Sequence, residues 1–333
     1  MLRFSPPEFD RFTQASSFNV SFGGSEANVA VSLAQYGQKA TFISRLPAHA
    51  IGQAAVNDLR RCGVDTDYIV RNGERIGIYF LEKGASQRPS QVIYDRAHSA
   101  FSQMEPGDLD WEEALRGAAW FHWSGITPAL GKNVQACLKA ACVAAKKAGA
   151  YISCDLNFRA KLWTEKEAQA VMQPLMEYVD VCIANEEDAQ RSLGFSVSGA
   201  NVEQGQLDES GYITLAHELK DAFNFRTVAI TLRESFSASR NAWSALLHDD
   251  QACRTPYRST RYDIQIVDRV GAGDSFAAGL IYGLLTRDSS QGALEFAVAA
   301  SCLKHTLPGD YNLVTEGEVL KLMRGQGSGR VER

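Results

Sequence analysis

Short apolar strands and helical segments alternate along the chain from about residue 112 onward. The segments at 150–157 (AYISCDLN), 179–184 (VDVCIA) and 226–232 (RTVAITL) are rich in β-branched and other apolar residues, as strands usually are. Helical stretches such as 133–149 separate them. Apolar strands separated by helices indicate a parallel sheet that is covered on both faces. The alternation therefore predicts an α/β fold with a doubly wound, mostly parallel sheet flanked by helices.

The early part of the chain follows a different pattern. Segments 16–22, 76–83 and 90–96 alternate or run apolar, and no helix lies between the last two, which predicts antiparallel strands. Because so few strands cannot bury two faces alone, we expect a small β lid that covers a cleft or pairs with another subunit. The predicted organisation is a lid at 1–22 and 75–96, an α/β core at 23–74 and 97–323, and a disordered tail at 324–333.

Composition narrows the classes of partner. The chain has 333 residues and a net charge of −5, whereas proteins that bind nucleic acid usually carry a basic face. No apolar run approaches the stretch of about 20 residues that spans a bilayer. The seven cysteines form no C-x-x-C pair, which favours free thiols in a reducing compartment. We therefore expect a cytoplasmic protein whose partners are small molecules, with no nucleic acid and no membrane among them.

A glycine-rich turn at 267–279 (VDRVGAGDSFAAG) carries the strongest chemical signal. Gly271, Ala272 and Gly273 precede Asp274 where a helix begins. A helix N-terminus leaves backbone N–H groups without partners and carries a partial positive charge, so it binds anions. A carboxylate beside such a site can accept the proton of an attacking hydroxyl. Taken alone, the turn fits equally well a structural Asp that caps the helix.

A second glycine pair precedes another helix at 22–37 (FGGSEANVAVSLAQYG). Together, the two segments resemble the two signatures of the ribokinase-like (PfkB) carbohydrate kinases. The resemblance implies a ribokinase-like fold in which the glycine pair at 23–24 contacts the sugar. The glycines at 271 and 273 would form an anion hole, with Asp274 as the catalytic base. No G-x-x-x-x-G-K-[ST] motif occurs, which excludes the P-loop way of holding phosphates.

Further segments resemble the 2-keto-3-deoxygluconate kinases within that family. These segments are GIYFLEKGASQRPSQVIYDR (77–96), FHWSGITPAL (121–130), SCDLNFRAKLW (153–163), ANEEDA (184–189) and TLRESFSAS (231–239). The resemblance implies a set of contacts to the keto-acid substrate, namely Gly24, Asn28, Tyr79, Tyr94, Arg96 and Arg159.

The two arginines also suit an acidic substrate on physical grounds. Arg96 ends a predicted lid strand, and Arg159 follows a core strand, at the edge of the sheet where ligand sites of such folds collect. A guanidinium grips a carboxylate with two hydrogen bonds, whereas a neutral sugar needs hydroxyl partners. From position alone, both arginines also fit surface ion pairs.

The resemblance implies ATP and Mg²⁺ as cofactors. Asn185 and Asp188 match the family's Asn-x-x-Glu segment, and Asp188, in place of the usual Glu, would hold Mg²⁺ through water. The same two residues suit the start of a helix, and both roles can hold at once. In the wider family a monovalent cation near Asp268 can also be required.

The nucleotide contacts are assigned by position. Thr231 and Arg233 stand where many relatives have a glycine-containing nucleotide loop, and Arg233 is assigned to phosphate. Asn312, in PGDYN at 308–312, is placed near the adenine.

Relatives of this family begin with a core strand that ends in Gly-Glu or Gly-Asp. Here MLRFSPP at 1–7 already falls in the lid, so we expect the first core strand to be missing. A chain extended by roughly 10 residues, enough for one strand, should be more stable and more active.

The leading hypothesis is ATP-dependent phosphorylation of the terminal hydroxyl of 2-keto-3-deoxygluconate. Two alternatives remain open, a kinase of the same fold for a neutral ketose such as fructose, and a non-catalytic regulator that binds a sugar acid. We also expect a homo-oligomer, a dimer or larger, because the lid exposes one sheet face.

Overall fold

A computed structural model of the protein describes residues 1–197, 209–249 and 255–326. Its strands are β1 (Leu2–Ser5), β2 (Asn19–Phe22), β3 (Ser44–Leu46), β4 (Ile69–Arg71), β5 (Ile78–Glu82), β6 (Gln91–Asp95), β7 (Trp120–Ser124), β8 (Tyr151–Asp155), β9 (Val181–Ala184), β10 (Thr227–Ser237), β11 (Arg240–Asp249), β12 (Tyr257–Arg258) and β13 (Tyr262–Gln265). Its α-helices are α1 (Ser25–Gln35), α2 (Ala50–Arg61), α3 (Trp111–Ala114), α4 (Lys132–Lys147), α5 (Glu165–Leu175), α6 (Glu186–Leu193), α7 (Glu209–Phe223), α8 (Ala272–Thr286), α9 (Ser290–Lys304) and α10 (Glu316–Met323). None of the helices in these ranges has the length and apolar character that a membrane crossing requires. Most of the predicted disordered tail falls outside the described residues.

The main sheet has the strand order β12–β11–β10–β9–β8–β7, and β13 also pairs with β11. Strands β7 to β10 are parallel, with Cys154 opposite Cys182 between β8 and β9. Side chains along β10 alternate between two cores: Val228 and Ile230 pack with α4, α5 and α7, whereas Ala229 packs with α8 and α9. Helices therefore cover both faces, and the predicted α/β fold with a mostly parallel core is confirmed.

Strand β11 makes one edge of the main sheet antiparallel, which the sequence interpretation did not predict. That interpretation assigned Thr231 and Arg233 to the place where many relatives have a glycine-containing nucleotide loop. Instead, β10 continues to Ser237 and the chain returns at once as β11, so that Thr227 lies opposite Asp249. A tight turn leaves no length for a crossover helix, and two strands joined in this way run antiparallel.

The lid is a four-stranded sheet with the order β2–β1–β5–β6. Strands β5 and β6 are antiparallel, as predicted, whereas β1 runs parallel to β5. The face that carries Arg3 and Tyr79 is buried. On the opposite face, Phe4 stacks on Phe80 with ring centroids 5.4 Å apart, and Ile93, which lies across from Phe80, is 52% exposed. The lid therefore turns one polar, buried face inward and one apolar face outward.

The outer edge of β7 has no strand partner within the described residues. Strands β3 and β4 form a separate parallel pair. A cavity of about 1140 Å³ is lined by Leu46 of β3 and Trp123 of β7, and also by Asp155 and Ala184 at the carboxyl ends of two core strands. The cavity therefore lies at the carboxyl edge of the main sheet, between β7 and β3.

Candidate active site

The glycine turn before α8 is closed on one side and open on the other. Gly271 is the residue that precedes the helix, with φ 81°, and a Cβ placed there would lie 2.1 Å from the carbonyl oxygen of Asp310. Only glycine fits such a position. A Cβ placed on Gly273 would meet nothing within 4 Å. Both glycines and Ala272 line the cavity. The turn therefore packs against protein at Gly271 and leaves space for a ligand at Gly273.

Asp274 lies in the first turn of α8 and faces the cavity. Its carboxylate accepts a hydrogen bond from the Ser25 hydroxyl at 2.7 Å and one from the Asn28 side-chain amide at 2.6 Å. No side chain caps α8, so the carboxylate is held by another helix and does not act as a helix cap. Burial raises the pKa of Asp274 to about 6, and the two hydrogen bonds oppose that rise. At neutral pH the group is ionised and able to accept a proton.

Asn28 joins the two glycine motifs. Gly24, with φ 147°, precedes α1, and its backbone N–H donates to the side-chain oxygen of Asn28 at 3.3 Å. The other end of that side chain donates to Asp274. The sequence interpretation placed Asn28 against the substrate, whereas the structure places its amide against Asp274. Ser25, which the interpretation did not include, does the same from the neighbouring turn of α1.

Two arginines line the cavity and form no ion pair with the described residues. Arg96 is buried, and its Nε and Nη2 atoms have no hydrogen-bond partner in the described part of the chain. Burial lowers the pKa of Arg96, and the nearby Arg159 lowers it further. Arg159 donates to the carbonyl oxygen of Phe158 at 2.9 Å and forms no ion pair with a described residue. The alternative that both are surface ion-pair partners is therefore not supported.

The two predicted tyrosines have different environments. Tyr94 lies under Arg96, whose guanidinium carbon is 4.2 Å from the ring centroid. The Tyr79 ring is 6.0 Å from the Tyr94 ring, but its hydroxyl donates to the carboxylate of Asp310. Tyr94 is thus available to a ligand in the cavity, while the Tyr79 hydroxyl already has a partner in the protein.

A group of acidic residues faces the cavity beyond Asp274. Asn185 caps α6 by accepting from the backbone N–H of Asp188 at 2.7 Å, and its amide donates to the Asp188 carboxylate at 2.8 Å. Burial raises the pKa of Asp188 to about 6, with Arg159 acting in the opposite direction. Asp155, which was not predicted, accepts from the backbone N–H of Gly125 through its carbonyl oxygen at 2.8 Å, while its side chain makes no hydrogen bond to the described residues. Burial, together with Asp188 and Asp274, raises its pKa well above the usual value.

The donor set suits a magnesium ion that arrives with a nucleotide. Within the described residues, no group of three or more His, Cys, Asp or Glu side chains could hold a metal ion by itself. Mg²⁺ keeps several waters and usually takes only one or two carboxylates from the protein, the rest of its ligands coming from substrate phosphates. Asp155 and Asp188 both line the cavity and fit that limited role.

The opposite side of the turn is basic. Thr231 and Arg233 line the cavity, and Arg233 forms no ion pair with the described residues. Arg269, which the sequence interpretation missed although it lies two residues before Gly271, also lines the cavity. Burial lowers the pKa of Arg269 and the charge of Arg233 lowers it further, while Asp268 acts in the opposite direction. Two arginines lining the cavity beside an anion-binding turn suit a polyphosphate.

Asn312, which was assigned to the nucleotide, lies away from the other predicted site residues. Its side chain is buried and donates to the Tyr36 hydroxyl at 3.0 Å and to the Ser275 hydroxyl at 2.7 Å. It holds α1 against α8 and is not part of the cavity lining. We therefore leave Asn312 out of the proposed nucleotide site.

Comparison with known proteins decides the family. A sequence profile of the pfkB family carbohydrate kinases matches residues 3–316. The chain belongs to this family. This pfkB kinase superposes on the crystal structure of a 2-dehydro-3-deoxygluconokinase from Thermotoga maritima with a TM-score of 0.93 and 55% identity, covering 98% of this chain and 96% of that one. Both the predicted family and the predicted ribokinase-like fold are confirmed.

Two further relatives of the pfkB kinase carry related names. A 2-dehydro-3-deoxygalactonokinase from Haloferax volcanii is 33% identical over 99% of this chain and 96% of its own length. A 5-dehydro-2-deoxygluconokinase from Clostridium perfringens is 26% identical over 90% of this chain and 83% of its own length. All three relatives are named for sugar-acid substrates.

Proposed function

We propose that this pfkB kinase transfers the γ-phosphoryl group of ATP to the terminal hydroxyl of 2-keto-3-deoxygluconate, giving 2-keto-3-deoxy-6-phosphogluconate and ADP. The observation that carries the proposal is the pair Arg96 and Arg159. Both guanidinium groups line the cavity that also contains Asp274, and neither forms an ion pair with a described residue, although Arg159 lowers the pKa of Asp188. A sugar acid supplies the missing carboxylate.

The reaction follows from the position of Asp274. Its ionised carboxylate accepts the proton of the terminal hydroxyl as the oxygen forms a bond to the γ-phosphorus. The bond between that phosphorus and the β,γ-bridging oxygen breaks, and ADP leaves with the electron pair. Ser25 and Asn28 hold the carboxylate in place throughout. After the step, Asp274 carries the proton and returns it to solvent.

The backbone of the glycine turn stabilises charge on the group being transferred. The N–H groups at the start of α8 carry no helical partner, and the space beside Gly273 lets an oxygen approach them. Arg233 and Arg269 would bind the remaining phosphates of the nucleotide. Mg²⁺, bound through ATP and facing Asp155 and Asp188, would neutralise phosphate charge.

An assay of ADP release over a panel of acceptors tests the proposal. The panel contains 2-keto-3-deoxygluconate, its galactonate epimer and fructose. We expect turnover with at least one of the two keto acids and little with fructose. In Arg96→Met and Arg159→Met, the KM for the keto acid should rise about 10- to 100-fold, because each charged hydrogen bond contributes about 1.5–3 kcal/mol.

The matched control is Arg240→Met, which removes an exposed arginine paired with Asp263. It should leave all kinetic constants unchanged. A preference for fructose, or an unchanged KM in both arginine variants, would favour the neutral-ketose alternative. Binding of the keto acid without ADP release would favour the non-catalytic regulator.

The galactonate epimer is a second candidate acceptor because the relative from Haloferax volcanii is named for it. The epimers share the carboxylate and the terminal hydroxyl, so the two arginines and Asp274 would act on both alike. The ratio of kcat/KM for the two epimers decides which one is preferred.

We also propose that the enzyme is cytoplasmic. The six cysteines of the described residues are free thiols, and five of them are buried. Such thiols fit a reducing compartment.

A further inference from the structure

A buried ionic cluster lies beneath the glycine turn. Its central residue, Arg3, was not among the predicted site residues. Arg3 of the lid strand β1 is 2% exposed. Its guanidinium contacts Asp268 at 2.6 Å and Asp310 at 2.7 Å, and its Nε donates to the Ser5 hydroxyl at 2.8 Å. One side chain of the lid thus bridges two carboxylates of the core.

Both carboxylates are attached to the glycine turn. Asp268 accepts from the backbone N–H of Val270 at 3.1 Å and from that of Gly309 at 3.1 Å, which ties the start of the turn to the loop after α9. Asp310 belongs to that same loop, and its carbonyl oxygen lies directly against Gly271. A shift of either carboxylate would therefore move the backbone that begins α8.

Among the described residues, Arg3 supplies one of the two buried cations that face Asp268 and Asp310. Lys304 is fully buried near Asp268 and Asp310, and its ammonium donates to the carbonyl oxygen of Leu307 at 3.2 Å. Burial lowers the pKa of Lys304 to about 8, while the two carboxylates act in the opposite direction. Burial acts to lower the pKa of Arg3 too, but Asp268 and Asp310 raise it above its usual value. Without Arg3, two buried carboxylates would share one buried ammonium, with Lys83 4.0 Å from Asp268 at the margin.

We propose that Arg3 is a positioning residue of the phosphoryl-transfer site: its guanidinium, supplied by the lid, fixes Asp268 and Asp310 and so holds the glycine turn in its anion-binding geometry. Arg3 does not touch the substrate in this role. The inference rests on the proposed function of the turn, but not on the identity of the acceptor sugar. A guanidinium suits the position because its fork reaches both carboxylates at once, whereas an ammonium is a point charge.

The test measures kcat and both KM values for Arg3→Ala and Arg3→Lys by ADP release. The acceptor is whichever sugar of the panel the unaltered chain phosphorylates, so failure of the sugar-acid assignment leaves this test intact. We expect kcat of Arg3→Ala to fall about 100-fold, as displacements near 1 Å do, with the KM of the acceptor within about threefold of the unaltered value. Arg3→Lys should retain an intermediate kcat, and added guanidinium ion should partly restore kcat of Arg3→Ala.

Stability is measured in parallel by thermal melting, with Arg240→Met as a control arginine that pairs only at the surface. Removing one partner of a buried ion pair costs about 3–5 kcal/mol, so Arg3→Ala by itself can fail to fold. The double variant Arg3→Ala/Asp310→Asn restores the charge balance; we expect it to fold and still to have a low kcat. A folded Arg3→Ala or double variant with the unaltered kcat would overturn the proposal. So would a loss that lies entirely in the acceptor's KM.

Discussion

The Asp274 carboxylate is subject to two opposing effects. Burial favours its neutral form, whereas hydrogen bonds from Ser25 and Asn28 favour the ionised form, and together they give a pKa of about 6. A general base with that pKa is ionised at neutral pH and remains basic enough to accept a proton from an alcohol in the transition state. The base role therefore predicts how activity depends on pH.

Activity should require the ionised form and be lost as pH falls through about 6. Ser25→Ala removes one donor to the carboxylate, so the pKa of Asp274 should rise and the acidic limb of kcat/KM should move to higher pH. The profile is measured by ADP release between about pH 5 and 8. A limb that stays in place, or moves to lower pH, would contradict the assignment.

The two glycines of the turn should respond differently to alanine. Gly271→Ala places a Cβ against the Asp310 carbonyl at φ 81°, so we expect a loss of about 2 kcal/mol or more of stability together with loss of activity. Gly273→Ala meets no protein atom, so its melting temperature should stay near that of the unaltered chain while kcat falls, because the methyl group enters the ligand's space. Equal effects of both variants on melting and kcat would show that the open side of the turn is not a ligand site.

The alternation of core strands and helices along the chain could be derived from the sequence because β8 and β9 are apolar runs bounded by helices. β11 could not, because its sequence, RNAWSALLHD, mixes polar and apolar residues although it is almost entirely buried. Asp155 and Arg269 were not predicted, because their place in the site depends on residues that only folding brings near them. The position of Asn312 in the sequence did not reveal that its side chain turns into the core, where it donates to Tyr36 and Ser275.

We expect the apolar outer face of the lid to form an interface between copies of the chain. Val20 and Ile93 are 57% and 52% exposed beside Phe4 and Phe80, and we expect a second copy of the chain to cover them. Light scattering should report a dimer or larger species. Val20→Lys/Ile93→Lys should shift it toward the monomer, whereas Val143→Lys, at an exposed apolar position on α4, should not. A monomeric unaltered chain would refute this expectation.

At the scale of the whole molecule, the described residues leave the space between β7 and β3 open as part of the cavity. The ammonium of Met1 lines the same cavity and donates to the carbonyl oxygen of Gly23 at 2.6 Å. Burial lowers its pKa to about 6, although Asp310 and Glu26 oppose the shift. A neutral peptide amide at this position would avoid the cost of burying a charge.

We expect a chain extended before Met1 by roughly 10 residues of strand-forming sequence to melt higher and to turn over faster, since a strand there would pair the edge of β7. A Gly/Ser extension of the same length is the control, because it replaces the ammonium but supplies no apolar strand. Equal melting temperatures and rates for the two extended chains would mean that the opening does not accept a strand.

The central claim is that Asp274 is the base of a kinase site. Turnover of Asp274→Ala with ATP and 2-keto-3-deoxygluconate tests that claim most directly. We expect kcat to fall by about 10²- to 10⁴-fold, the usual contribution of a general base, while ATP binding measured by calorimetry stays within a few-fold of the unaltered protein. Turnover close to that of the unaltered chain, in a folded Asp274→Ala protein, would contradict the account.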